Sequence, residues 1–130
     1  MKDNTILIIE DDKTNMCLIR SVLALGKGQI LEAENAEKGI QLAREHHLNL
    51  ILMDIRLPTK NGLEATRLIK DDPDLKNIPV VALTGYSNKE DENEAINAGC
   101  VAFVSKPIDI RNFRKTIAMI LSIHCPGYFG

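Results

Sequence analysis

Asn49-Leu50-Ile51-Leu52-Met53-Asp54, followed by Ile55-Arg56-Leu57-Pro58 and Asn61-Gly62, is the stretch on which the fold turns. It is a short apolar run that stops at a carboxylate, with turn residues just beyond. A run of this length bounded by Pro and Gly reads as a strand buried on both faces. Asp54 then stands at the rim of a sheet, and in open α/β sheets ligands bind at that rim.

Working outward, the same pattern recurs. Thr5-Ile6-Leu7-Ile8-Ile9 is a buried strand ending in Glu10-Asp11-Asp12. Asp12 caps a helix with Met16, Ile19, Val22 and Leu23 on one face, stopped by Gly26 and Gly28. Residues 29–33 form a short strand. Asn35 caps a second helix whose stripe is Ala36, Ile40, Ala43 and His47. Beyond Asp54, Gly62 marks a tight turn or a positive φ, and residues 63–70 form a helix closed by Asp71-Asp72-Pro73. Residues 78–83 are a strand with its Pro at the edge, ending in Thr84-Gly85. Ser87 or Asn88 caps an acidic helix ended by Gly99. Residues 101–105 are the last strand and lead into Lys106-Pro107. Asp109 caps a helix with Ile110, Phe113, Ile117, Ile120 and His124 in register, terminated by Pro126-Gly127.

Five alternations of strand and helix predict an α/β fold: a single-domain, doubly wound, five-stranded parallel sheet. The flavodoxin-like order 2-1-3-4-5 fits, because it makes the two acid-tipped strands neighbours at the switch point. One domain over 1–130 is expected, with its core at about residues 5–123 and a tail at 124–130 that reads as loose. Docking of the tail aromatics Tyr128 and Phe129 on the domain or on a partner stays open.

Composition narrows the function classes. A 130-residue chain with 45% hydrophobic and 26% charged residues is ordinary for a globular domain. Its net charge of −2 argues against nucleic-acid binding. No run is long enough to span a membrane, and the polar start Met1-Lys2-Asp3-Asn4 does not read as a signal peptide. Three cysteines without metal spacing fit reduced thiols in a cytoplasm. Cys17 and Cys100 are expected in apolar surroundings, and Cys125 is a candidate for exposure. His46 and His47, adjacent and so on different faces, suit a helix C-terminus better than a metal. The acidic run Glu90 to Glu94 reads as a solvated face.

The strand ends carry the chemistry. Glu10 and Asp11, Asp54, Thr84 and Lys106 all fall at the same end of their strands. Three clustered carboxylates repel one another unless a cation compensates, and oxygen ligands suit Mg²⁺. Asp11 and Asp54 are the expected direct ligands, with Glu10 acting through water and the backbone carbonyl of Arg56 completing the set. Asp54 is then placed to attack a phosphoryl group. Lys106 offers a cation to one phosphoryl oxygen and Thr84 a hydroxyl to another.

Residues 6–12, residues 52–58 with Gly62, Val81-Ala82-Leu83-Thr84-Gly85 and Ser105-Lys106-Pro107 together resemble the receiver domain of two-component response regulators. The wording around Asp54 and Lys106 is similar to stand-alone receivers of the DivK type and to receivers attached to hybrid histidine kinases. The resemblance implies a phosphoacceptor signalling protein. Asp54 would take phosphate from a phosphohistidine on a histidine kinase or histidine phosphotransfer protein. Thr84 and Phe103 would be a switch pair, although Phe103 lacks the polar tip of the Tyr or His that many members carry. The Lys106-Pro107 bond would be cis. Arg56 and Tyr86 would tune dephosphorylation by screening the attacking water. The fourth helix, fifth strand and fifth helix would form the output surface toward a protein target.

Activity would be limited to self-directed phosphotransfer and autodephosphorylation. One alternative is a receiver fragment of a hybrid kinase or of a DNA-binding regulator, although Met1 and the short tail favour a complete chain. A Mg²⁺-dependent phosphatase of the haloacid-dehalogenase kind needs a second Asp two residues after the first, where this chain has Arg56. A nucleotide or flavin binder would want a Gly-rich loop where Glu10-Asp11-Asp12 stand.

Overall fold

The computed structural model of the chain describes residues 4–57, 61–84, 89–106 and 109–129. Strands β1 (Asn4–Ile9), β2 (Gly28–Ala33), β3 (Leu50–Asp54), β4 (Val80–Thr84) and β5 (Ala102–Ser105) alternate with helices α1 (Lys13–Leu23), α2 (Ala36–Glu45), α3 (Gly62–Asp71), α4 (Lys89–Ala98) and α5 (Ile110–His124). All strand pairs are parallel, in the order β2-β1-β3-β4-β5. The expected fold class and strand order are therefore observed.

The period of two along each strand divides the core into two layers. Leu7, Ile9, Ile51, Met53, Val80 and Ala82 face the layer covered by α2, α3 and α4. Ile6, Ile8, Leu50, Leu52, Val81 and Leu83 face the layer covered by α1 and α5. Every residue of β3 and β4 is buried, which is why those strands read as unbroken apolar runs. Pro79 precedes β4, and its carbonyl accepts from the Ile51 N–H at 2.9 Å.

Asp12, Asn35 and Asp109 cap their helices as expected, each accepting a backbone N–H of the first turn. Other boundaries move. α1 ends at Leu23, and Gly28 already belongs to β2. His47 lies beyond α2, outside the expected stripe. Ile110 opens α5 exposed rather than buried. α3 starts one residue early because Asn61 caps it. Gly62 does not take a positive φ; it is needed for close approach, since a Cβ there would strike the Asp54 carbonyl and the Ile55 backbone. Gly99 does take positive φ, at 112°, and closes α4 with its N–H on the Ile96 carbonyl.

Two cysteines exchange their expected places. Cys17 is exposed because it lies off the buried stripe of α1, whereas Cys125 is buried in the layer under α1 and α5. The tail docks on the domain. Tyr128 is 1% exposed, its hydroxyl donates to the Leu23 carbonyl at 2.7 Å, and its own carbonyl accepts from the Lys27 N–H at 2.6 Å. Its ring fills the space left by the missing side chains of Gly26 and Gly28.

Candidate functional site

Parallel register brings the strand ends to one rim. Ile9 pairs with Met53, so Glu10 and Asp11 emerge beside Asp54. Thr84 pairs with Ser105, and the Lys106 N–H donates to the Thr84 carbonyl at 2.7 Å, which starts the lysine at the same rim. Its side chain crosses toward β3 and β1. The ammonium donates to Asp54 Oδ2 at 2.8 Å and lies 2.9 Å from Glu10 Oε1.

The other carboxylate oxygens are held by backbone. Asp54 Oδ1 accepts the Arg56 N–H at 2.9 Å, and Glu10 Oε2 accepts the Asp12 N–H at 3.2 Å. Glu10 Oε1 is enclosed and, among the described residues, receives no directed hydrogen bond, only the ion-pair contact. Glu10 and Asp54 are buried, while Asp11 is exposed. One carboxylate oxygen from each of the three acids can be grouped within 4.8 Å. Three acids against one ammonium leave an excess of negative charge, two of the carboxylates being buried.

The proton affinities reflect this crowding. Glu10 is pushed up to about 7, first by burial and then by Asp54; Lys106 and the Asp12 N–H work against the rise. For Lys106, burial disfavours the ammonium, but its hydrogen bonds and attraction to Asp54 and Glu10 outweigh burial and raise it above the usual lysine range. A divalent cation with hard oxygen ligands fits such a donor set: three converging carboxylates, one carrying a buried oxygen without a directed partner.

Glu10, Asp11, Asp54 and Lys106 are thus brought together. Thr84 is buried at its strand end, with its hydroxyl turned to the Val104 carbonyl at a long 3.5 Å. Phe103 stands apart on β5, 36% exposed, beside a groove that also touches Lys106 and Phe113. Tyr86 and Pro107 lie outside the described residues, as do Pro58, Ser87 and Asn88.

The acidic run of α4 is not wholly solvated. Asp91 is buried and accepts from Arg56 Nη2 through both oxygens, at 3.1 and 2.8 Å. A signal for this was present, since Asp91 shares an i, i+4, i+7 stripe with Ala95 and Ala98, the other buried residues of that helix. Asn61 was also missed as a cap, because a residue flanked by Lys60 and Gly62 reads equally well as loop.

Known proteins share the fold and much of the sequence. Residues 6–118 match the family model described as the response regulator receiver domain. The polar-differentiation response regulator DivK of Brucella ovis is 41% identical over 117 residues, covering 90% of this chain and 95% of that protein. The receiver domain of the sensor histidine kinase PA1611 from Pseudomonas aeruginosa, solved with a magnesium ion coordinated in its active-site cleft, is 28% identical. It superposes with a TM-score of 0.81 over 94% of this chain and 97% of that one. A chain from the Saccharomyces cerevisiae co-crystal of the histidine phosphotransfer protein Ypd1 with the receiver domain of Ssk1 is 27% identical. Its TM-score is 0.81, over 95% of this chain and 90% of that one.

Proposed function

This chain belongs to the response regulator receiver domain family and is of the DivK-like type. From that premise we propose that Asp54 is its phosphoacceptor. The single observation that carries the reading is the Lys106 ammonium 2.8 Å from Asp54 Oδ2, with Glu10 and Asp11 converging on the same rim. In the transfer, an Asp54 carboxylate oxygen attacks the phosphorus of a phosphohistidine. A P–O bond forms, the P–N bond breaks, and the imidazole leaves with the bonding pair and picks up a proton. The donor is a histidine kinase or a histidine phosphotransfer protein.

Asp11 and Asp54 would hold Mg²⁺ directly, Glu10 through water, with the Arg56 carbonyl as a further ligand. Bound there, Mg²⁺ supplies charge neutralisation for the phosphoryl oxygens. Lys106, already on Asp54, takes one phosphoryl oxygen as the charge moves outward. Thr84 gives up a 3.5 Å hydrogen bond to reach another, a small loss for a buried hydroxyl that gains a charged partner. Phe103, partly outward, is the side chain free to follow, so the face formed by α4, β5 and α5 changes shape for a protein target.

The test is direct. Incubated with acetyl phosphate and Mg²⁺, the protein should gain one phosphoryl group, acid-stable and base-labile, localised to the peptide bearing Asp54. A protein that gains none, or gains it elsewhere, ends the proposal.

A second expectation concerns pH. The folded state keeps a proton on Glu10 that the unfolded chain has released. The favourable contribution of this carboxyl is complete below about pH 4.5 and is lost as pH rises to about 7. Mg²⁺ requires deprotonated ligands. Its stabilisation should therefore grow through that window, reaching on the order of 10 °C in Tm at about 100 times its dissociation constant. Thermal melts with and without Mg²⁺ should show a larger gain at about pH 8 than at about pH 5.5; an equal gain contradicts the assignment of Glu10.

A further inference from the structure

Arg56 is tied to the site twice. Its backbone N–H donates to Asp54 Oδ1, and its guanidinium reaches 35 residues along the chain to Asp91 in the first turn of α4. The two ends of that ion pair differ: the Arg56 side chain is 67% exposed and the Asp91 side chain 9%. Asp91 is fixed by burial and favoured by its place at a helix N-terminus. The arginine is the exposed partner, a long arm anchored beside Asp54 whose head rests on α4. The pair forms one wall of a cleft of about 370 Å³ that also touches Asp11 and Asn61, so it flanks an open approach to the acidic rim.

Phosphorylation changes what the guanidinium faces. A phosphoryl group on Asp54 carries up to two negative charges where the carboxylate carried one, sets them further out, and offers oxygens that match a guanidinium fork. It therefore competes with Asp91 for Arg56. Loss of the phosphoryl group proceeds by attack of water on phosphorus: the new P–O bond forms from water, the bond to Asp54 breaks, and the carboxylate and inorganic phosphate are released, with the water proton passing to phosphate or solvent. In-line attack comes from the side opposite the Asp54 oxygen, which is the open side of the rim. A guanidinium drawn over the phosphoryl group closes that path. One held on α4 leaves it open.

We propose that Asp91 is a positioning residue that holds the Arg56 guanidinium off the water path to phosphorylated Asp54, so that the Arg56–Asp91 pair sets the lifetime of the phosphoryl group. The inference rests on the reading of Asp54 as phosphoacceptor and deepens it by adding α4 to the control of the signal. It also gives Arg56 two resting places, only one of which screens water.

The full chain is phosphorylated with acetyl phosphate and Mg²⁺, the donor is removed by desalting, and decay is followed by intact-mass spectrometry. Asp91→Asn, nearly isosteric, should slow decay about two- to fivefold, as expected for releasing a half-exposed ion pair. Asp91→Ser is a second neutral variant with the same expectation should Asn disturb the helix. Asp91→Glu, which keeps the charge, should decay like wild type. In an Arg56→Ala background, where decay is at least as fast as in wild type, Asp91→Asn should change nothing. This null result separates positioning of Arg56 from general loosening of α4, which would alter decay in both backgrounds. Unchanged or faster decay in both neutral variants, or the same slowing without Arg56, overturns the inference and leaves the phosphoacceptor reading standing. Failure of the wild type to form the adduct at all removes both.

Discussion

Asp54→Asn is expected to abolish phosphoryl uptake from acetyl phosphate, lowering it at least about a hundredfold while leaving the fold intact. The amide has the shape of the carboxylate but lacks its charge and nucleophilicity. The loss should not arise from unfolding, because Lys106 keeps Glu10 at 2.9 Å and the site sheds one of three mutually repelling acids. A second readout follows from the same substitution. Asp54 contributes to lifting Glu10 to about 7, so without that charge the Glu10 titration should move down toward an ordinary carboxylate. Side-chain NMR in metal-free buffer measures it. A variant that loses uptake but leaves the Glu10 titration where it was would mean that the two carboxylates do not interact as the geometry says.

Tyr128→Ala is expected to destabilise the protein by about 3–5 kcal/mol, the range for removing a fully buried aromatic ring. For a chain of this size that is a fall in Tm on the order of 10 °C. The ring occupies a slot floored by Gly26 and Gly28, where any Cβ would collide with it, and its hydroxyl satisfies the Leu23 carbonyl at the end of α1. Its removal opens a cavity lined by backbone and leaves that carbonyl with the Gly26 N–H, at 3.1 Å, in place of the shorter bond from the hydroxyl. Tyr128→Phe should lose only the hydrogen bond, about 1 kcal/mol. Both variants should still accept phosphate at low temperature. Tyr128 packs near the Asn4 carbonyl at the start of β1, the end of the sheet opposite Asp54. A Tyr128→Ala protein melting like wild type would show that the tail does not hold this position.

The contrast between these two residues shows how far the sequence carries. Asp54 is announced by its neighbours, an apolar run and a turn. Tyr128 is announced by nothing nearby: it follows Pro126-Gly127 at the end of the chain, where a loose tail is the natural reading, and its slot is built about a hundred residues earlier. Asp91 falls between them. Its helical stripe was readable, but three acids around it suggested solvent, and the approach of Arg56 from 35 residues away supplies a charge partner that no local pattern announces.

What the linear pattern determined by itself was the alternation of strands and helices, the order of the sheet and the set of reactive groups at the strand ends. Those follow from local rules: side-chain period, caps and turn residues, and a parallel sheet that puts every strand terminus on one rim. What the tertiary structure alone decided was pairing between distant groups: Lys106 bridging Asp54 and Glu10, Arg56 resting on Asp91, and Tyr128 seated against Gly26 and Gly28. Such contacts depend on where long side chains reach across neighbouring elements, and that is set by the packing of the whole core rather than by any stretch of sequence that takes part in them.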